Sequence, residues 1–340
     1  MGSKPTNQSP LTKAVKTATG YPQFGLIVGL IALLIVMAFI TPSFFSFDTI
    51  VSQLQNNSIY AILAVGVMMV ILTGGIDLSI GATLALSGMT VSVLMNSFTG
   101  LPVILWILVS IAIGAVCGAI NGILVGKLRI VPLIATLATM YIFRGAAFFV
   151  SGGQWFMSHQ FPADYQAVTQ TKILSIPSLI WITVLIFILA GLFLGYTKPG
   201  RRIYAIGTNP ESARVAGIKE GNVKILAYTL CGALAGFAGM LFTSNLATCQ
   251  PQIADGYEMT AIAICILGGV SIVGGKGRID GVAIGVIMIF VINTFVSLIP
   301  GLSIWSDAIQ GAIIVAAVIL NLVTGKFAEK RELKERSALI

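Results

Sequence analysis

The residues best suited to contact another protein lie in one basic loop, GRRIYAIGTNPESARVAGIKEGNVK, at 200–224. Asn209 is a good N-cap, Pro210 suits a first helical turn, and Glu211 complements the positive end of a helix. Gly217 can end that helix in a left-handed conformation. The pattern predicts a capped helix of about two turns. The alternative is a solvated connector without a partner.

A second polar segment, TGGIDLSIG, carries an acid between two apolar stretches at 73–81. Asp77 or Ser79 can cap the helix that follows, and the glycines allow a tight turn. We therefore expect Asp77 to be a structural cap. The second interpretation is a place on a transport path, because acids at membrane depth are costly and often functional.

The loop LGGVSIVGGKGR at 267–278 resembles a phosphate-binding loop only superficially. A phosphate loop has the pattern GxxxxGK[ST] and follows a strand. Here the spacing differs by one residue, Gly277 replaces the hydroxyl residue, and the flanking segments are apolar. We expect no nucleotide site and no cofactor in this chain.

Catalytic and metal-binding chemistry has little support in the sequence. The single histidine, His159, has no evident partner, and the four cysteines form no CxxC pair, so neither a zinc site nor a disulfide framework is indicated. Polar residues within or beside apolar stretches either line a path for a hydroxylated solute or satisfy one another at helix ends. The candidates for such a path are Asn121, Arg144, Asn245, Gln250, Glu258 and Asn293.

The elements that position these residues are membrane helices. Charged residues make up 9% of the chain and hydrophobic residues 56%, with a mean hydropathy of +0.97, whereas soluble domains carry roughly 25% charged residues. A transmembrane helix needs about 20 apolar residues. The predicted fold is an all-α integral membrane protein of about ten transmembrane helices. The spans are predicted at 24–41, 58–74, 79–97, 102–125, 131–151, 177–197, 223–245, 259–274, 279–299 and 304–323.

The distribution of basic residues orients these helices. With the N-terminus in the cytoplasm, all but two of the 20 Lys and Arg residues fall on the cytoplasmic side. The exceptions are Lys172 in an outer loop and Arg144 inside the fifth span. This asymmetry is the positive-inside pattern. It predicts that both termini are cytoplasmic, and it accounts for the net charge of +8 without a nucleic-acid partner.

The chain therefore divides into one membrane domain and two tails. Residues 1–23 form a cytoplasmic N-terminal tail, 24–323 the transmembrane domain, and 324–340 a charged cytoplasmic C-terminal tail. The longest inner loop, 198–222, contains the predicted capped helix.

Small residues recur at three- and four-residue spacing in the fourth and seventh spans. They include Gly114, Gly118 and Gly122 in one span and Gly232 and Gly236 in the other. Small residues let helix backbones approach closely in lipid. We therefore expect tight helix packing rather than a ligand role.

Four motifs occur in a fixed order along the chain. They are TGGIDLSIGATLAL (73–86), RIVPLIATLATMYIFRG (129–145), GRRIYAIGTNPESARVAGI (200–218) and GYEMTAIAICILGGVSIVGGKGRIDG (256–281). With these motifs the chain resembles the permease subunits of bacterial ABC importers for simple sugars, the ribose, xylose and galactose class. The resemblance extends from about residue 24 to 325.

This resemblance implies a transport permease, not an enzyme, in the bacterial inner membrane. The implied partners are a second permease copy, a cytoplasmic ATPase that binds ATP and Mg²⁺, and a periplasmic sugar-binding protein. Sugar would cross by alternating access at the permease dimer interface. The residues implied to couple the permease to the ATPase are Asn209, Pro210, Glu211, Ser212, Ala213, Arg214 and Gly217.

Other functions remain as alternatives. A related permease for branched-chain amino acids or nucleosides is disfavoured by the GGIDLSIG and GGKGR segments. An ion-coupled secondary transporter usually shows acids near the membrane midplane or interrupted helices around its site. The acids Asp77, Glu258 and Asp280 instead fall at predicted span ends. An intramembrane enzyme would need a catalytic set around His159.

Overall fold

The computed structural model describes residues 42–298 continuously, together with scattered positions within 30–39 and 301–315. The predicted first and tenth spans, 24–41 and 304–323, therefore fall almost entirely outside the described residues, as do both tails. The ten-span count and the cytoplasmic placement of the termini stay predictions.

The described part of the chain consists mainly of α-helices, with two short 3-10 helices (Pro42–Phe45 and Ser158–Gln160), one hairpin (Lys172–Ile173 and Ile176–Pro177) and irregular connections. Its α-helices are α1 (Phe47–Leu72), α2 (Ile80–Ser97), α3 (Val103–Gly126), α4 (Pro132–Ser151), α5 (Ala163–Gln170), α6 (Ser178–Tyr196), α7 (Lys198–Thr208), α8 (Pro210–Val215), α9 (Glu220–Leu246), α10 (Tyr257–Leu267) and α11 (Ile279–Leu298). Seven of these are long and apolar enough to cross a membrane: α1, α2, α3, α4, α6, α9 and α11. The all-α membrane class is confirmed.

Six predicted spans agree with the structure within three residues at each end, and two differ. Helix α1 begins at Phe47 rather than at 58, because Ser46 caps it by accepting a hydrogen bond from the Thr49 amide at 3.3 Å. Helix α10 ends at Leu267 rather than at 274. It ends there because Gly269 takes a left-handed φ of +80°, a conformation that closes helices.

The centre of the molecule is the contact between α3 and α9, where glycines bring the two backbones together. A Cβ added at Gly118 would lie against the carbonyl oxygen of Tyr228, and one at Gly122 would lie 2.6 Å from the Ile225 Cα. On α9, a Cβ at Gly232 would lie against the carbonyl oxygen of Gly114. The predicted packing role of these glycines is confirmed, and the contact excludes larger side chains.

Three non-helical connections join helices of the described part of the chain. The first joins α1 to α2 at 73–79 and is largely buried, with Asp77 and Ser79 each 1% exposed. The others join α9 to α10 at 247–256 and α10 to α11 at 268–278. Irregular backbone in a membrane protein is tolerated where protein covers it, and the connection 73–79 meets this condition.

The predicted outer loop between α4 and α6 packs onto the C-terminal end of α9. Its helix α5 buries Tyr165, whose hydroxyl lies 2.6 Å from the Thr243 hydroxyl oxygen and 3.1 Å from the Met240 carbonyl oxygen. The loop ends in a two-stranded hairpin that pairs Lys172 with Pro177. These contacts tie the outer loop to the C-terminal end of α9. The N-terminal end of α9 directly follows the loop that contains the predicted capped helix.

Candidate functional site

The loop 198–222 is almost entirely helical. Besides the predicted helix, it contains α7, which the sequence reasoning missed. The Thr197 side chain caps α7 by accepting a hydrogen bond from the Gly200 amide at 3.1 Å, and Pro199 lies in the first turn. The buried Ile203 and Ile206 hold its inner face against the core. A threonine followed by a proline two residues later was the available signal.

The N-terminal cap of α8 is present as predicted. Asn209 has an extended backbone, with φ of −156° and ψ of 99°, and its side-chain oxygen accepts a hydrogen bond from the Ser212 amide at 2.9 Å. Pro210 lies in the first turn, and Glu211 is the acid there. This arrangement satisfies one of the free amides of the helix start.

The C-terminal end of α8 also follows the prediction. Gly217 has a left-handed φ of +79°. Its amide donates to the Arg214 carbonyl at 2.9 Å, and the Ile218 amide donates to the Ala213 carbonyl at 3.0 Å. These two bonds form a Schellman motif. The helix has six residues, slightly fewer than the two turns predicted.

Most side chains of helix α8 are exposed. Glu211, Ser212 and Arg214 are exposed, and Val215 is 91% exposed, whereas Ala213 is 5% exposed and faces the core. The outward face thus combines an acid, a base and an uncovered apolar side chain. Such a face is suited to fit a groove on another protein.

The Tyr204 hydroxyl connects α7 to the α10–α11 connection. It donates a hydrogen bond to the Gly277 carbonyl at 2.9 Å. Partial burial raises the pKa of the Tyr204 phenol above its ordinary value of 10.0. The hydroxyl therefore stays protonated at neutral pH and remains a donor.

Asp77 lies in a buried hydrogen-bond cluster at the start of α2. Its Oδ1 accepts bonds from the Ser79 amide at 2.9 Å and the Ser79 hydroxyl at 2.7 Å, with the Asn121 amide nitrogen at 3.4 Å. Asn121 also donates to the Ser79 hydroxyl oxygen at 2.7 Å and accepts from the Thr139 hydroxyl at 2.7 Å. Ser79 itself makes no cap bond to α2. The Asp77 bonds from residue 79 lie ahead of α2, which begins at Ile80, so both the cap and the path interpretation of Asp77 stay predictions.

Arg144 holds the α9–α10 connection against α4. Its Nη1 donates to the Pro251 carbonyl at 2.9 Å and to the Ile253 carbonyl at 2.7 Å. The neighbouring Glu258 is 7% exposed, and a Cβ added at Gly81 would lie 2.6 Å from its Oε2. Arg144 therefore has a clear structural role in addition to the predicted place on a path.

The remaining predicted path residues occupy other parts of the fold. The Asn245 side-chain oxygen accepts a hydrogen bond from Gln55 at 2.7 Å, and the Asn293 amide nitrogen lies 3.4 Å from the Asn57 oxygen, so both contact the first half of α1. Gln250 is partly buried in the α9–α10 connection. The six candidates thus form separate clusters, and their role in transport stays a prediction.

His159 and the cysteines form no catalytic grouping with one another in the described part of the chain. His159 is exposed in a short 3-10 helix, and all four cysteines are buried and free. Among the described residues, no group of three or more His, Cys, Asp or Glu could hold a metal ion.

Comparison with known proteins identifies the family. Residues 49–318 match the family described as branched-chain amino acid transport system / permease component. The chain belongs to this family. The permease is therefore a transport component rather than an enzyme, and its apolar helices make it a multi-pass protein of the bacterial inner membrane.

Relatives of the permease cover nearly its whole length. The ribose import permease protein RbsC of Escherichia coli K12 is 35% identical over 301 residues, which are 87% of this chain and 92% of the relative. RbsC of Bacillus subtilis 168 is 39% identical over 299 residues, with coverage of 88% and 92%. The autoinducer 2 import system permease protein LsrC of Enterobacter sp. 638 is 34% identical over 308 residues, with coverage of 90% and 88%. No solved structure matches.

Proposed function

We propose that the permease is the membrane-spanning subunit of an ATP-driven importer for a ribose-like simple sugar. The observation that carries the proposal is the exposed helix α8, capped at both ends and set beside a membrane core that resembles ribose import permeases along 92% of their length. The partners in this proposal are a cytoplasmic ATPase, a periplasmic binding protein and a second copy of the permease.

In this proposal α8 fits a groove on the ATPase, and ATP binding there displaces α8. The displacement passes to the membrane helices, which expose the sugar path to one side of the membrane at a time. ATP and Mg²⁺ are held by the ATPase, and loaded binding protein docks on the opposite face. A short helix fixed by an N-cap and a Schellman motif keeps its shape under load better than an uncapped loop, because fewer of its backbone groups are free.

The sugar class has one competitor. The family description names branched-chain amino acids, whereas the relatives described above import ribose or autoinducer 2. We propose the sugar because the similarity to ribose permeases is high along almost the entire chain.

Uptake into proteoliposomes tests the proposed function. The permease is reconstituted with the ATPase and binding protein recovered by pull-down of the solubilised permease, and radiolabelled ribose and leucine are supplied in parallel. We expect ribose uptake that requires ATP, the ATPase and the binding protein. Ribose uptake that continues without the ATPase would refute the ATP-driven mechanism, and uptake of leucine in place of ribose would refute the sugar class.

Charge reversal on α8 tests the docking assignment. Glu211→Lys and Arg214→Glu should weaken retention of the ATPase and reduce ATP-dependent uptake, because both side chains lie on the exposed face. The matched control is Lys198→Glu, which reverses an exposed charge in the same loop but outside α8. Normal ATPase retention by both α8 variants would contradict the assignment.

A further inference from the structure

Helix α7 meets the interior of the permease through glycine backbone in addition to the buried side chains of Ile203 and Ile206. A Cβ added at Gly207 would lie against the Leu72 carbonyl oxygen, 2.5 Å from the Gly275 nitrogen and 3.0 Å from the Gly275 Cα. Leu72 ends α1, and Gly275 lies in the α10–α11 connection. Three separate parts of the chain therefore touch at one point.

Gly275 is equally close to the backbone of α7 at Thr208. A Cβ added at Gly275 would lie 2.5 Å from the Thr208 nitrogen and 2.6 Å from its Cα, and the Gly275 backbone has a φ of +72°. The Gly275 amide also donates a hydrogen bond to the Leu72 carbonyl at 3.0 Å. Only glycine meets both the steric and the conformational requirement at this position.

Two side-chain bonds reinforce this contact. The Tyr204 hydroxyl donates to the Gly277 carbonyl at 2.9 Å, and the Thr208 hydroxyl donates to the Gly275 carbonyl at 3.3 Å. Both donors belong to α7, and both acceptors belong to the α10–α11 connection. Helix α7 is thus attached to that connection along its last two turns.

The α10–α11 connection also contacts the buried connection 73–79. That segment begins directly after Leu72, and a Cβ added at Gly274 would lie 2.8 Å from the Gly74 nitrogen. Farther along, the Ile76 carbonyl accepts a hydrogen bond from the Tyr228 hydroxyl of α9 at 3.1 Å. The connection therefore links α7 to the start of α2 and to α9.

On the other side, α7 is continuous with the proposed docking helix. Asn209 is at once the C-terminal cap of α7 and the N-terminal cap of α8. Its amide donates to the Ala205 carbonyl at 3.1 Å, while its side chain accepts from the Ser212 amide. The two helices are therefore joined through this one residue, whose backbone and side chain are both hydrogen-bonded.

We propose that Gly207 and Gly275 form a backbone joint through which displacement of α8 moves the connections 73–79 and 268–278. The proposal rests on the proposed function, since the ATPase must displace α8. Tightly packed protein interiors transmit displacement instead of absorbing it, and contact between backbones leaves no layer of flexible side chains to yield. Gly207 and Gly275 act as positioning residues in transport.

Hydrogen–deuterium exchange on the ATPase complex tests the joint. Exchange is measured with and without ATP for the wild type, for Gly207→Ala and for Gly195→Ala. Gly195 is the matched control because a Cβ there meets nothing within 4 Å. Alanine also favours helix more than glycine does, so Gly207→Ala changes the contact without lowering the intrinsic helix propensity of α7.

In the wild type and the control, ATP should change exchange in both α8 and the connection 73–79. In Gly207→Ala the ATP-dependent change in the exchange of α8 should persist. The ATP-dependent change in exchange over 73–79 should fall at least about fivefold, which is the lower end of typical coupling between two sites. A milder variant, Tyr204→Phe, removes one hydrogen bond without adding volume and should give a smaller reduction of the same kind.

The possible results distinguish a failure of the proposed joint from a failure of the proposed function. Absence of ATPase binding by the wild type would refute the proposed function and the joint with it. ATPase binding with a wild-type response over 73–79 in Gly207→Ala would refute the joint alone. If Gly207→Ala does not assemble, Tyr204→Phe decides, and a full response over 73–79 in that variant would overturn the joint.

Discussion

Gly217→Ala should loosen α8 by a calculable amount. Gly217 has a φ of +79°, and an alanine held in the left-handed region costs roughly 1–2 kcal/mol. A six-residue helix has little stability of its own, so it depends on its caps. Because this cost corresponds to a factor of about 5–30 in an equilibrium constant, the open form of α8 should become more populated by that factor.

Hydrogen–deuterium exchange of the isolated permease measures this effect. The amides of Gly217 and Ile218 are the reporters, because they donate the two bonds of the Schellman motif. Their exchange in Gly217→Ala should accelerate by about 5–30-fold, whereas exchange within α9 should not change. The loosened helix should also retain the ATPase less well, since part of the binding energy would be used to reform it.

The control for this prediction is Gly217→Asn. Asparagine tolerates the left-handed conformation better than alanine, so this variant should exchange at a rate closer to that of the wild type. Equal protection in Gly217→Ala and the wild type would refute the reasoning. It would show that contacts with the core, and not the cap, hold α8 in place.

Three further predictions concern the membrane domain. Arg144→Met should lower the thermal unfolding temperature of the purified permease, because hydrogen bonds from a charged group contribute about 1.5–3 kcal/mol each. Arg144→Lys should lower this temperature less. Gly118→Ala should destabilise the α3–α9 contact by about 1–3 kcal/mol, since its methyl would meet the Tyr228 carbonyl; thermal unfolding measures this loss too. A cysteine at Lys172 should react with a membrane-impermeant maleimide in intact cells, whereas one at Lys276 should react only after the cells are opened.

The chain offers matched controls for these measurements. Gly145→Ala lies one residue from Arg144, and a Cβ there meets nothing within 4 Å, so its unfolding temperature should equal that of the wild type. The four native cysteines are buried and should give little background labelling. Wild-type stability in Gly118→Ala or Arg144→Met would contradict the assigned contacts. Labelling of the cysteine at Lys276 in intact cells would contradict the predicted orientation.

Features set by local chain chemistry were predictable from the sequence. The caps of α8 depend on Asn209, Pro210 and Gly217, whose conformational preferences act within a few residues. Most span boundaries depend on hydrophobic length, which the lipid environment dictates. Close packing of α3 and α9 was predicted from regularly spaced glycines, although the sequence did not indicate that these two helices pack against each other. Each of these signals is contained in one short stretch of sequence.

Features set by contacts between distant segments were not predictable. Helix α7 contains Gly200 and Gly207, which weaken a helical pattern, and it is fixed by tertiary contacts with Leu72 and Gly275. The early end of α10 at Leu267 was missed because apolar residues continue beyond it. Hydropathy alone cannot distinguish a helix from a buried irregular connection.

The roles of isolated polar residues also depended on the three-dimensional structure. Asn121 and Asp77 are 44 positions apart in sequence, yet they share one buried cluster. Arg144 bonds to carbonyl groups more than 100 positions away. A single sequence indicates that such residues are costly to bury in a membrane, but it does not indicate which backbone groups compensate them.

The close α3–α9 contact has a mechanical consequence. With backbones touching at several glycines, the two helices behave as one stiff rod that begins beside the docking loop. The 27 residues of α9 give this rod a length of about 40 Å. A tilt of about 5° at the end beside α8 would then displace the far end by about 3.5 Å, given that length. A small tilt of α9 beside α8 would thus displace its far end by more than the length of a covalent bond.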